Sequence, residues 1–208
     1  MREVVTKQVK SIYFTLITPE EIRKVARAKI VTPELYDMDG YPVDGGLMDI
    51  RLGAIDPGVR CRTCAGKLKE CLGHFGYIEF ARPVMHVKYI GMIERFLRCV
   101  CHECGKILLR DDDMKLTVKE RITKARTVKK CPHCNAKHGK VKLEKPTSFY
   151  ADSKRIFPST IRSILARISD EDVRRLGVHN SRPENAVLGL LLVPPVTVRP
   201  SITLETGE

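Results

Sequence analysis

The sequence predicts an α+β fold that is irregular and loop-rich, with short strands and several helices. Three observations predict it. Short alternating stretches of β-branched and aromatic residues sit beside capped helical ones, and neither kind runs long. Glycine and proline punctuate the chain, most densely from Asp37 to Gly58. All eight cysteines fall between Cys61 and Cys134, and seven of them belong to spaced pairs.

Those pairs carry the chemistry. Cys61, Cys64, Cys71 and His74 read as a CxxC pair, six residues, then a CxxH pair. Cys101, Cys104, Cys131 and Cys134 read as two CxxC pairs with 26 residues between them. Each pair can turn two donors toward one point, and two pairs close a tetrahedron, the arrangement structural Zn²⁺ takes. The expectation is two structural zinc ions, with Cys99 left over as a small buried residue. At 208 residues, with 43% hydrophobic content and no Trp, the core is modest for the length, and metal sites supply what burial does not.

Other classes fit less well. No apolar run approaches a membrane span, and the start, Met1-Arg2-Glu3-Val4, lacks a signal-peptide apolar region. Paired cysteines without a secretory signal point to reduced thiolates on metal rather than disulfides, and to a cytoplasmic or nuclear location, the cytoplasmic one being expected. A zinc hydrolase keeps three protein ligands and an open position, whereas both sets here are complete and no HExxH occurs. The formal net charge is +12. Gly105 to Lys145 alone holds 13 Lys and Arg against 5 Asp and Glu. Such a field suits a polyanion; composition equally allows a solvated lysine-rich loop.

In chain order, Val9 to Ile17 alternates and is β-rich, with apolar residues on both sides, so a strand with two partly covered faces is expected. Thr18-Pro19-Glu20-Glu21 is a helix start with a capping box, and Ile22, Val25, Ala26 and Lys29 extend it toward Thr32-Pro33. The turn-rich stretch to Gly58 is read as an irregular loop with Leu47, Ile50 and Leu52 inward. After the first cysteine group, Tyr77 to Phe80 is a short strand closed by Arg82-Pro83, and Val87 to Arg98 a helix. Within the second group, His102 and His133 are expected to point outward. Ile107 to Leu109 reads as a strand leaving the knuckle. The insert to Lys130 is partly helical with a basic face, and Asp111-Asp112-Asp113 suits a helix start better than a Mg²⁺ cluster. Lys140 to Lys145 resembles an edge strand, and Pro158 to Ile168 an amphipathic helix. Ser169 caps a short helix stopped by Gly177, Ala186 to Val193 is a buried strand, and Val196 to Pro200 stays extended. These features divide the chain into 1–60, 61–98, 99–145 and 146–208. The end at Glu208, soon after Pro194-Pro195, suggests a chain that continues.

Several strings together resemble a known family. They are Val43-Asp44-Gly45-Gly46-Leu47-Met48-Asp49-Ile50-Arg51-Leu52-Gly53, then Asp56-Pro57-Gly58 before Cys61, then Glu70-Cys71-x-Gly73-His74-Phe75-Gly76. Phe80-Ala81-Arg82-Pro83-Val84-x-His86-Val87, Cys101-x-x-Cys104-Gly105-Lys106 and Val193-Pro194-Pro195-x-x-Val198-Arg199-Pro200-Ser201 continue the match. In that order they resemble the start of the largest subunit of multisubunit DNA-directed RNA polymerases, most of all its archaeal form. The resemblance implies a zinc-stabilised clamp, the module that closes over DNA and the RNA–DNA hybrid. It assigns the eight paired donors as zinc ligands, in agreement with their spacing. It implies as partners the second-largest subunit, the rest of the largest subunit, and initiation and elongation factors. The family's catalytic Mg²⁺ loop, NADFDGD, is absent, so this stretch is expected to be non-catalytic and to hold no Mg²⁺. Arg121, Lys124, Arg126, Lys129 and Lys130 are the candidate nucleic-acid contacts. A freestanding zinc-ribbon protein that binds nucleic acid or acts as an adaptor is the other reading the residues permit.

Overall fold

The computed structural model describes residues 8–199. In chain order these form α1 (Pro19–Val25), β1 (Ala26–Ile30), β2 (Phe75–Met85), α2 (Ile90–Cys99), α3 (Val118–Ala125) and β3 (Val141–Glu144). Then come β4 (Ser148–Ala151), β5 (Lys154–Ile156), α4 (Pro158–Ala166), α5 (Asp170–Arg175) and β6 (Val187–Val193). The fold is α+β, built of short elements, as expected. It divides into two compact units. Among the described residues, one comprises Ile17–Val84 with 188–199; the other comprises Met85–Val187 with 8–16.

The Ile17–Val84 unit is built on a three-stranded sheet in the order β1-β2-β6. β1 runs parallel to β2, with Ala28 opposite Gly76 and Ile30 opposite Ile78. Ala28, Ile30, Met48, Leu52, Val193 and Val196 form its core, with Leu47 packed against them. The helix start is as read: Thr18 Oγ1 accepts from the Glu21 amide at 3.2 Å, and Glu21 Oε2 accepts from the Thr18 amide at 2.8 Å. The helix stops at Val25, however, and does not run on through Lys29. From Ala26 the period changes to two, with Ala28 and Ile30 buried and Arg27 and Lys29 exposed, so pairing with β2 overrides helical spacing. β2 is also longer than Tyr77–Phe80 and passes through Pro83. Val196–Val198 is a 3-10 turn rather than extended chain. Residues 200–208, which include the chain end, lie outside the described residues.

Of Leu47, Ile50 and Leu52, read as inward in the glycine-rich loop, Leu52 is buried and Leu47 and Ile50 are half-buried, but the buried charge beside them went unread. Asp49 is fully buried. Its carboxylate accepts from the Gly45 amide at 2.6 Å, the Arg51 amide at 2.8 Å, and Arg51 Nη2 at 2.6 Å. Burial alone would raise its pKa, but the Arg51 guanidinium and the two amides outweigh that and hold it below the ordinary carboxylate value.

The Met85–Val187 unit packs around α2. Ile93, Phe96 and Leu97 of α2 are fully buried among Phe149 of β4, Ile161 and Leu165 of α4, and Leu176. β3, β4 and β5 form an antiparallel meander with β3 at an edge, where an edge strand was read. The Ser169 cap holds α5, and Gly177 follows at φ +82°. Ile107, Leu108 and Leu109 are buried, but only Ile107 makes a strand-like bridge, to Val100. The strand expected from Val9 to Ile17 does not form. Its alternation leaves apolar side chains on both sides, and no ladder covers either: Val9, Ile12, Tyr13 and Phe14 are exposed. Leu16 alone docks on the core, its amide donating to Ser181 Oγ at 3.0 Å.

Asp49→Ala removes the acceptor from two backbone amides and a guanidinium in a buried site. It is expected to destabilise the Ile17–Val84 unit by about 2–4 kcal/mol, measured as a lower urea midpoint by circular dichroism. A carboxylate held below its ordinary pKa contributes fully above that ordinary value and loses its contribution as pH falls through the lower folded value. The gap between parent and variant is therefore expected to be constant at neutral pH and to close only in strong acid.

Candidate metal centres

The structure brings together the two donor groups read from the sequence. Cys61, Cys64, Cys71 and His74 have donor atoms that all lie within 4.8 Å of one another, and so do those of Cys101, Cys104, Cys131 and Cys134. The first group belongs to the Ile17–Val84 unit and the second to the Met85–Val187 unit. All the cysteines are free thiols.

Three of the four pairs repeat one local geometry. The leading cysteine amide donates to the carbonyl five residues on: Cys61 to Gly66 at 3.0 Å, Cys101 to Lys106 at 2.9 Å, Cys131 to Ala136 at 2.8 Å. Its carbonyl accepts from the amide four residues on, that of Ala65, Gly105 or Asn135. That fourth residue has positive φ each time, +58°, +72° and +61°. Amides also point at sulphur: Thr63 to Cys61, Gly73 to Cys71 and His133 to Cys131, at 3.3–3.4 Å. Such donors stabilise thiolate. Gly105 is the glycine this geometry most needs, because a Cβ there would also stand 2.7 Å from the Arg167 carbonyl oxygen.

The separations suit a tetrahedral ion. Metal–sulphur bonds of about 2.3 Å place sulphurs about 3.8 Å apart. Cys101 and Cys134 Sγ are 3.5 Å apart, Cys104 and Cys131 Sγ 3.7 Å, and Cys71 Sγ lies 3.7 Å from His74 Nε2. The protonation chemistry agrees. Burial pushes Cys104 up to about 12 and also raises Cys71 and Cys101. The His74 imidazole first, then the Gly66 amide, brings Cys64 down to about 7, and the Ala136 amide brings Cys134 to about 7. Burial thus opposes ionisation at Cys71, Cys101 and Cys104, while the facing amides and imidazole favour it at Cys64 and Cys134. A divalent cation stabilises all the donors in their deprotonated form. Both clusters can therefore hold metal ions.

Around the second cluster lies a shell the sequence did not reveal. His102 does not simply face outward, whereas His133 stays exposed as read while its ring nitrogen reaches back to the chain. His102 Nε2 is 2.8 Å from the Leu97 carbonyl, and His133 Nε2 is 3.1 and 3.0 Å from the Ile107 and Leu109 carbonyls. The Ile107 amide donates to the buried Asp172 at 3.3 Å, and Arg167 donates to the Glu103 carbonyl at 2.9 Å. Cys99 is fully buried, and burial pushes its thiol up to about 11, so it lies apart from the donor set as an inert thiol.

The family described as RNA polymerase Rpb1, domain 1 matches residues 6–208. The chain belongs to this family. Among relatives, DNA-directed RNA polymerase subunit Rpo1N of Methanothermobacter thermautotrophicus is 47% identical, aligned over 98% of this chain and 26% of that one. The subunit of the same name from Methanocaldococcus jannaschii is 46% identical over 100% of this chain and 17% of its own length. The one from Thermoplasma acidophilum is 43% identical over 98% and 26%. This Rpb1 domain 1 chain therefore spans about a quarter or less of the length of these relatives. The archaeal-type resemblance read from its motifs holds.

The five basic candidates in this Rpb1-family chain have different surroundings. Arg121 is half-buried and structural, donating to the Leu116 carbonyl at 2.8 Å and the Arg175 carbonyl at 2.9 Å. Lys124 pairs with Asp113 at 2.5 Å, which also accounts for one of the three consecutive aspartates. Arg126, Lys129 and Lys130 are exposed and line one cavity. Among the described residues no helix is long and apolar enough to cross a membrane.

Gly105→Ala is expected to cost about 2 kcal/mol or more, combining positive φ with the clash on Arg167, and to lower the metal affinity of the second cluster alone. Titration with a chromogenic chelator checks this. Removing metal from both clusters with excess chelator is expected to lower the melting temperature and to expose the amides of Cys61, Cys101 and Cys131 to hydrogen exchange.

Proposed function

We propose that this chain is the clamp portion of the largest subunit of a DNA-directed RNA polymerase, carrying two structural Zn²⁺ ions. The observation that carries the reading is a family match over residues 6–208 in a chain whose two tetrahedral donor groups both close. Cys61, Cys64, Cys71 and His74 hold one ion; Cys101, Cys104, Cys131 and Cys134 hold the other. Full four-donor sets leave no open position for a substrate, so the metal role is structural. When bound, zinc couples roughly 10–16 kcal/mol of apparent binding energy to folding, by comparison with small zinc-finger peptides.

The clamp's contribution to transcription is electrostatic and mechanical. Lobes held by the knuckles present a basic surface to DNA and to the RNA–DNA hybrid, chiefly through phosphates. The Asp-rich Mg²⁺ loop that performs nucleotidyl transfer is not in this sequence, so chemistry belongs to the remainder of the subunit. The partners are that remainder, the second-largest subunit, and the factors that dock on the clamp in the cytoplasm. The domain scheme follows the same reading, with one zinc lobe within 61–98 and a second, basic one within 99–145.

Native mass spectrometry of the chain is expected to show two zinc ions; one or none overturns the ligand assignment. Mixing the chain with the rest of the largest subunit and the second-largest subunit is expected to give a complex that elongates RNA on a primed scaffold, while the chain alone with Mg²⁺ and nucleotides makes no product. Failure to join either subunit, together with tight DNA binding alone, would favour a freestanding zinc-ribbon protein.

A further inference from the structure

A cavity of about 820 Å³ in the Met85–Val187 unit is lined by six cations: Arg98, Arg126, Lys129, Lys130, Lys137 and Lys140. We propose that it binds a single-stranded nucleic-acid segment through its phosphates. The proposal rests on the reading that this chain handles nucleic acid, and it names a site and a strand state that reading leaves open.

The cations are gathered by the second metal knuckle. The hairpin through Cys131 and Cys134 sets Lys130 directly opposite Lys137 as a bridged pair, and the His138 amide donates to the Lys129 carbonyl at 2.9 Å. Like charges directly opposite on a ladder are destabilising, so this pairing works against the hairpin until an anion lies across it. Among the described residues, none of Arg126, Lys129, Lys130, Lys137 and Lys140 has a carboxylate within 4.0 Å. Arg98 pairs with Glu94 through Nη2 at 2.8 Å, yet its buried Nε has no hydrogen-bond partner. Buried donors are normally satisfied, and the side chain that carries this one forms part of the cavity wall. The single acidic side chain in the wall, Asp152, accepts from the Lys140 amide at 3.0 Å.

Shape and lining select the strand state. The volume lies within the roughly 300–1,000 Å³ typical of small-ligand pockets, too small to admit a duplex but open to one strand. Val128 and Val141 supply apolar wall, and the half-buried His138 imidazole in it packs edge-on against His102, ring centroids 4.9 Å apart. Unpaired cations along a cleft that is wide enough for one backbone are the electrostatic part of what single-strand binders use.

The test uses the full metal-loaded chain, a fluorescent oligothymidylate and a matched duplex, with anisotropy followed across salt. Lys130→Gln with Lys137→Gln is expected to weaken single-strand binding roughly tenfold and to reduce the salt slope by about 1.4, the value for two lost phosphate contacts. The melting temperature is expected to hold or rise, because the like-charge pair is gone. Arg126→Gln with Lys140→Gln, on another part of the wall, is expected to reproduce the binding loss, so a folding defect in one pair does not decide the matter. Lys119→Gln with Lys154→Gln, exposed residues outside the lining, is the control and is expected to leave binding within twofold. An equal loss from the control pair, an equal loss on duplex, or no loss from either cavity pair overturns the cavity site while the nucleic-acid reading stands. Competition by polyglutamate as strong as by unlabelled oligothymidylate would assign the cavity to an acidic protein segment. A parent chain that binds neither strand nor duplex overturns the underlying reading as well.

Discussion

Sulphur and nitrogen donors crowded within 4.8 Å of one another are the constraint on which this fold turns. Several thiolates at that spacing repel one another, and buried thiols gain little from contact alone. A cation held there would resolve both problems and fix four points of chain at once. The need is greatest at the first cluster, where, among the described residues, the associated buried apolar group is Ala54, Cys61 and Cys71. Hydrocarbon does not hold that lobe. At the second cluster the knuckles sit on a real core, and His102, His133, Asp172 and Arg167 brace them from behind. The same donor chemistry thus serves two settings, in one nearly alone and in the other as part of a packed interior.

Positive charge is sorted by use. Arg121, Arg167 and Arg182 donate to backbone carbonyls and act as struts. Arg23 and Lys29 share Glu79, and Lys124 has Asp113. Exposed pairs of this kind contribute little stability individually, but they remove those cations from the pool available to a polyanion. Among the described residues, five cations without a carboxylate partner, Arg126, Lys129, Lys130, Lys137 and Lys140, line one cavity beside the second knuckle. A net charge of +12 says none of this; only the partners do.

Much of this was legible in the residues, and the unread parts share a cause. Signals that act within a few residues came through: the Thr18–Glu21 capping box, the Ser169 cap, the Gly177 stop, the spacing of Ile161, Ile164 and Leu165, and the donor pairs themselves. Outcomes decided at a distance did not. Ala26–Ile30 becomes a strand because β2 lies beside it, and Val9–Ile17 fails to become one because, among the described residues, no strand does. Asp49 looks like one more polar loop residue until Gly45 and Arg51 close around it. The left-handed knuckle position was half visible, since Gly105 and Asn135 are types that tolerate it and Ala65 is not. The candidate basic residues show the same limit: sequence counts charges but does not say which already have a carbonyl or carboxylate.

One unit of this chain is interrupted by the other. β6 completes the sheet begun by β1 and β2, yet it follows the whole Met85–Val187 stretch. A ribosome delivers residues in order, so β1 and β2 leave the exit tunnel long before their third strand exists. Until then the outer side of β2 carries unsatisfied amides and carbonyls, the kind of open border on which nascent chains stick to one another. Meanwhile the intervening stretch, with its own apolar centre and its own cysteine cluster, emerges complete. Maturation of the sheet is therefore timed by translation of a segment that contributes almost nothing to it.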